Sequence, residues 1–221
     1  MAKAMVIICP HRPDLFGQPL LGHVAWGYEY PDGSWCIGAV EGTEWQQGNK
    51  NGFWVRHMPD LRSSLMHFAQ GKKTGNEYDY YKFLTVTNGV VPDWKYADQV
   101  VAWVRDQDYN LFGRNCMNSA YDVLRSFAGG KGYYNNAQLP LPDHNWIPNG
   151  WFNAIQTPEY YQLPTVVHAF QSQARSPGLA PIKLMDNPPT PEWRVGEKLP
   201  TEQPKWKAVD VPAPKEAAPV E

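Results

Sequence analysis

The chain is short of three things: cysteine, clustered positive charge and long apolar runs. Each shortage narrows what it can be. Its three cysteines, at positions 9, 36 and 116, form neither a paired framework nor a CxxC ligand pair. A disulfide scaffold and a structural zinc site are therefore not expected. The formal net charge of −2, with no basic run, leaves no electrostatic footprint for nucleic acid. No segment approaches the roughly eighteen apolar residues of a membrane span. GxGxxG, P-loop and HExxH patterns are also missing, so no cofactor or metal is implied.

The opening MAKAMVIICPHRPD is too brief in apolar residues for a signal-peptide core, and it runs into His-Arg-Pro-Asp rather than a small-residue cleavage site. It reads as a first strand ending at Pro10. The expected location is cytoplasmic as synthesised, with export by a signal-independent route left open.

Aromatic residues, by contrast, are plentiful: ten tryptophans and twelve tyrosines in 221 residues. They either fill a small mixed core or line a groove for an extended ligand. From about Ser176 the texture changes to a Pro-rich stretch with no periodic apolar face. Residues 176–221 are therefore expected to be an extended or disordered tail, dispensable for folding or serving as a docking segment for a partner. Residues 1–175 form the folded domain.

Within that domain HVAWGYEY and SWCIGAVEG read as strands around the turn PDG, and FWVRHM and YKFLTVTN as two more. PDLRSSLMHFA and PDWKYADQVVAWVRD read as helices that open with Pro-Asp. In the second, Trp94, Ala97, Val100, Val101 and Val104 share a face. After Cys116, the positions Ala120, Val123, Leu124 and Phe127 repeat that spacing, and Gly129-Gly130 supplies a stop. A shorter helix is expected near Trp151–Ile155. The class is α+β, an antiparallel sheet packed against helices.

Cys116 stands where a polar, glycine-containing loop gives way to that helix. A sulfur in a helix's first turn meets unpaired N–H groups and the positive end of the dipole, which favour a thiolate. The Cys116 N–H is itself a candidate oxyanion donor. A thiol nucleophile needs a base, and the base needs an orienting group. A three-residue Pro31-Asp32-Gly33 loop pairs Tyr30 with Ser34, and counting outward pairs His23 with Glu41. Cross-strand partners share a face, so an imidazole and a carboxylate lie side by side. Between them on that face are Ala25, Gly27, Ile37 and Ala39, mostly small, as expected where a helix packs close. The opposite face, with Val24, Trp26, Tyr28, Cys36 and Val40, reads as ordinary apolar cover.

The order is His on an early strand in GHVAW, a polar residue on the next strand, then Asn-Cys opening a helix in GRNCMNSAYDVLRSF. It resembles the circularly permuted NlpC-type branch of the papain-like fold, which includes the lecithin retinol acyltransferase-like enzymes. The resemblance spans about residues 20 to 130. It implies a papain-like catalytic domain in which Cys116 attacks a carbonyl, His23 is the base and Glu41 orients the ring. Members of the acyltransferase branch often carry His at the orienting position, and their Asn-Cys-Glu-His run is replaced here by Asn-Cys-Met-Asn. The resemblance implies a cysteine hydrolase acting on an amide bond in a peptide or peptidoglycan stem. An acyltransferase, thioesterase or lipase acting on an acyl ester or phospholipid is the alternative. A third reading is a non-catalytic binding module on the same shell. His57, His67, His144 and His168 show no partner pattern, and Cys9 and Cys36 read as inert core residues.

Overall fold

Residues 2–10, 21–41, 52–70, 78–86, 91–110, 113–144, 147–164 and 179–196 are described by a computed structural model. Six strands, β1 (Lys3–Cys9), β2 (His23–Glu29), β3 (Trp35–Val40), β4 (Phe53–Met58), β5 (Tyr80–Thr85) and β6 (Tyr160–Gln162), form one sheet in the order β4-β3-β2-β1-β5-β6. Every neighbouring pair is antiparallel. Four helices pack on it: α1 (Leu61–Gln70), α2 (Trp94–Arg105), α3 (Cys116–Phe127) and α4 (Pro148–Ala154). The class is α+β, as expected. The short helix begins at Pro148 rather than near Trp151, because proline suits a first helical position. The three-residue strand β6 gave no usable alternation in the sequence.

Both Pro-Asp openings act as helix starts. The Asp93 side chain accepts from Tyr96 N, and that of Asp60 accepts from Ser63 N. The hairpin register is also the expected one: Trp26 lies opposite Gly38 and Tyr28 opposite Cys36. Tyr30 N–H donates to Ser34 O, closing the three-residue loop, and Gly33 takes φ +83°, a left-handed value that glycine adopts without strain.

The two faces of the sheet correct the reading of the hairpin. Val24, Trp26, Tyr28, Cys36 and Val40 pack into the larger core, together with α2, α3 and α4. The face with Ala25, Ile37 and Ala39 belongs to the smaller core and receives α1 through Leu65, Phe68 and Ala69. So a helix does cover the small-residue face, but it is α1, and the helix of Cys116 lies on the side taken for plain cover. The space left by small residues is filled by large neighbours. A Cβ on Gly27, for example, would come within 2.6 Å of Met5 Cε.

Part of the Pro-rich stretch is not detached from the domain. Residues 179–196 run against it, with Ile182, Leu184 and Trp193 on the larger core and Arg194 buried. The expectation that this stretch is dispensable therefore does not carry over to 179–196. Aromatic–cation contacts of Trp193 and Arg194, the Arg194–Asp122 ion pair and hydrogen bonds such as Arg105 to Met185 O help to hold it, and none of these leaves an apolar period in the sequence. Residues 176–178 and 197–221 lie outside the described residues.

Candidate functional site

His23 is the first residue of β2 and Glu41 directly follows the last residue of β3, so both stand at one end of the sheet. His23 Nε2 lies 2.9 Å from Glu41 Oε2. The contact is a close, buried ion pair between ring and carboxylate. Two aromatic residues complete the seat of the carboxylate. Trp54 Nε1–H donates to Glu41 Oε1 at 2.6 Å, and the Tyr78 hydroxyl donates to the same oxygen at 3.4 Å. Tyr78 also lies against the imidazole, with ring centroids 5.7 Å apart.

The approach of β2 to this end needs a glycine. Gly22 has φ +75°, and a Cβ there would collide with the Asn149 side chain. Asn149 in turn ties the neighbouring chain, its N–H donating to Leu21 O and its Nδ2–H to Pro10 O.

The third group arrives from the opposite layer. Helix α3 starts at Cys116, and its sulfur is close enough to the His23 ring to act on the ring's charge. Asn115 is the N-cap, its Oδ1 accepting from Met117 N at 2.9 Å and from Asn118 N at 3.4 Å. The Asn118 side chain accepts in return from Asn115 N, giving a reciprocal capping box. A cap of this kind contributes about 1 kcal/mol, and it fixes the first turn around the sulfur. It leaves the Cys116 N–H unused by the cap, and the Tyr109 phenol lies near it. The expected oxyanion donor is therefore at the helix start, beside a phenol.

Charges at this point reinforce one another. Burial pulls the His23 pKa down, but the Glu41 carboxylate and the Cys116 sulfur more than offset it and hold the imidazolium up to about 10. Burial pushes the Glu41 carboxyl up, yet His23 and the two aromatic donors win, and its pKa lies below the ordinary value. Tyr78 and Tyr109 are held well above the usual phenol range, by burial first and then by the nearby carboxylate and sulfur. Both phenols thus stay protonated donors. The site can offer a thiol, a charged ring, an orienting carboxylate and two hydroxyls.

Trp54, Tyr78 and Tyr109 escaped the sequence reading, since buried aromatics read as core. The other candidate residues stay apart from this group. His57 is on β4, His67 is on α1 beside Trp54, and His144 closes a short 3-10 turn. His168 lies outside the described residues. Cys9 and Cys36 are buried, and burial raises the Cys36 thiol above its usual range. Among the described residues no group of three or more His, Cys, Asp or Glu could hold a metal ion. No helix among them is long and apolar enough to cross a membrane. A cavity of about 470 Å³ lies elsewhere, between β5, β6 and the end of α4, lined by Lys82, Thr157 and Tyr160 among others. Its lysine caps α4, Nζ donating to Phe152 O and Ile155 O at 2.7 Å each.

No protein-family model, no curated protein and no solved structure matches the chain.

Proposed function

We propose that the protein is a papain-like cysteine hydrolase of the circularly permuted NlpC type, forming an acyl-enzyme at Cys116. The observation that carries this reading is the row of carboxylate, imidazole and thiol that ends on the first turn of a capped helix. In that order the carboxylate fixes the ring and the ring serves the sulfur.

The chemistry follows from the order. The Cys116 thiolate attacks the carbonyl carbon and the carbonyl π pair moves to oxygen. That oxygen is received by the Cys116 N–H, with the nearby Tyr109 hydroxyl as second donor. The His23 imidazolium gives its proton to the leaving amine as the C–N bond breaks. Water then attacks the thioester with His23 as base, which returns the thiol and releases the acid. Glu41, seated by Trp54 and Tyr78, keeps the ring aligned through both halves. The favoured substrate is an amide in a peptide or peptidoglycan stem. An acyl ester, thioester or phospholipid acyl chain would use the same steps with an alcohol, thiol or lysolipid leaving.

One observation favours a second reading. Cys116 is only 2 % exposed, so acylation requires the site to open. A binding module that kept the shell would have no such need. The native protein should be incubated with iodoacetamide at mildly acidic pH, then with peptidoglycan fragments and acyl esters, and intact mass followed. The expected results are alkylation at Cys116 ahead of Cys9 and Cys36, and an acyl adduct that turns over. Cys116 that stays unmodified by both would favour the binding module.

A further inference from the structure

The α2–α3 face carries a second built site, remote in chemistry from the cysteine. Asp122, on α3, is a carboxylate only 1 % exposed. Its Oδ1 accepts from the Trp193 indole N–H at 2.7 Å and from Arg194 Nε at 2.8 Å. The indole is sandwiched by charge and ring: the Arg125 guanidinium lies 4.5 Å from its centroid, and Tyr96 meets it edge-on at 5.8 Å. Arg125 is itself fixed by Gly130 O and the Tyr121 hydroxyl. The bound segment has a defined shape. Pro191 is in a polyproline conformation, followed by one 3-10 turn over Glu192–Arg194, closed by Arg194 N donating to Pro191 O. That turn brings two successive side chains to one oxygen. Pro191 is buried and Glu192 exposed.

What is read is therefore Pro, any residue, Trp, then a cation. The chain contains this pattern again thirteen residues on, at Pro204-Lys205-Trp206-Lys207. A third occurrence, Pro92-Asp93-Trp94-Lys95, is built into the start of α2 and is not available as a ligand. We propose that the Asp122–Arg125–Tyr96 groove is a recognition site for Pro-x-Trp-cation peptides, and that segment 204–207 of the same chain is its second ligand, exchanging with 191–194. The variable position faces solvent, so Glu192 and Lys205 are equivalent there. Pro204 presets the same backbone entry. Lys207 reaches the carboxylate as a point charge, without the guanidinium's second contact, so it is the weaker ligand. Asp122 Oδ2, buried and without a hydrogen-bond partner among the described residues, can accept from an ammonium with three donors. Bringing 204–207 to the place of 191–194 lengthens the loop by the thirteen residues between Pro191 and Pro204, and closure entropy grows slowly with length. The inference is independent of the reading of Cys116.

The test is a double-mutant cycle in the full chain, read by thermal denaturation. Trp193→Ala alone should lower Tm little, because 204–207 takes the groove. In a Trp206→Ala background the same substitution should cost at least about 2 °C more, a measurable fraction of the shift expected for a chain this size. Additive losses overturn the proposal. If either alanine variant fails to fold, Trp193→Phe, which keeps the ring and removes the N–H donor, enters the same cycle. Coupling that appears only together with dimerisation in sedimentation would assign the exchange to a second copy and overturn the intramolecular form.

Discussion

Each end of the β2–β3 hairpin has a histidine beside it, His23 on β2 at one and His57 of the neighbouring β4 at the other, and the two ends are built in opposite order. At one end Glu41 contacts His23, and His23 is in reach of Cys116. At the turn end Asp32 Oδ1 accepts from the Ser34 hydroxyl at 2.6 Å, and Ser34 Oγ lies 2.8 Å from His57 Nε2. A hydroxyl has one proton. Held by Asp32, it is not available to His57, so His57 must present its own N–H to the serine. Ser34 is thus a turn residue with its lone pairs occupied, although a serine, a histidine and a carboxylate stand within bonding distance. Asp98 beside it is spoken for too, since the hydroxyls of Tyr28 and Tyr30 both donate to its Oδ1 at 2.6 Å. What distinguishes a candidate site from a structural cluster is the sequence of contacts, carboxylate to ring to nucleophile, and a helix N-terminus under the nucleophile.

The sharpest way to break the comparison is mutation at both ends. Cys116→Ser and His23→Ala should each lower turnover of an acyl substrate by on the order of 10²–10⁴-fold. Ser34→Ala and His57→Ala should leave it close to the parent value. Glu41→Gln should fall between them, since an amide still bonds the ring but offers no charge. Alkylation of Cys116 at mildly acidic pH, followed by mass, gives a substrate-free version: His23→Ala slows it and His57→Ala does not. Equal losses at the two ends would mean that both clusters act only through folding.

A smaller effect concerns pH. The folded state holds the His23 proton more tightly than the unfolded chain does, so that contribution is complete below about 6.5 and declines as pH rises toward about 10. Glu41, lowered, contributes fully above about 4.5 and loses its contribution in acid. Tm should therefore be highest between these values and fall from pH 6.5 to 8. Beyond that Lys82, pulled to about 8 by burial, acts in the opposite sense. In His23→Asn the fall from 6.5 to 8 should flatten; in His57→Asn it should persist. A parallel slope in both variants would locate the titration elsewhere.

How much of this was legible depended on which rule governed each residue. The register was readable because a Pro-Asp-Gly loop admits few geometries, and the start of α3 because Asn115-Cys116 precedes a clear helical period. The side on which α3 packs was not readable. Every residue of β3 is buried, and β2 is buried from His23 to Tyr28, so alternation carried no label for the deeper face. Trp54, Tyr78 and Tyr109 were invisible as site residues because their function is one hydroxyl or one indole N–H on a side chain that otherwise packs. The docking of 179–196 combines scattered apolar contacts with one buried carboxylate, and no pattern in a Pro-rich stretch announces either.

The smallest expected effect joins the two ends of the hairpin. Gly33 sets the loop that fixes the register, and the register is what places Glu41 opposite His23, since a slip of one residue would turn Glu41 to the other face. A Cβ at Gly33 would meet nothing within 4 Å, so Gly33→Ala carries only the strain of φ +83°. That is about 1 kcal/mol, or roughly 2–4 °C in Tm for a chain of this size. The register should survive, because six residue pairs join β1 to β2, six more join β3 to β4, and both faces are buried. Cys116 alkylation should then keep its rate while Tm falls. Loss of alkylation at an unchanged fold would show that the turn alone holds the register, and that the alignment of His23 with Glu41 depends on one glycine at the opposite end of the sheet.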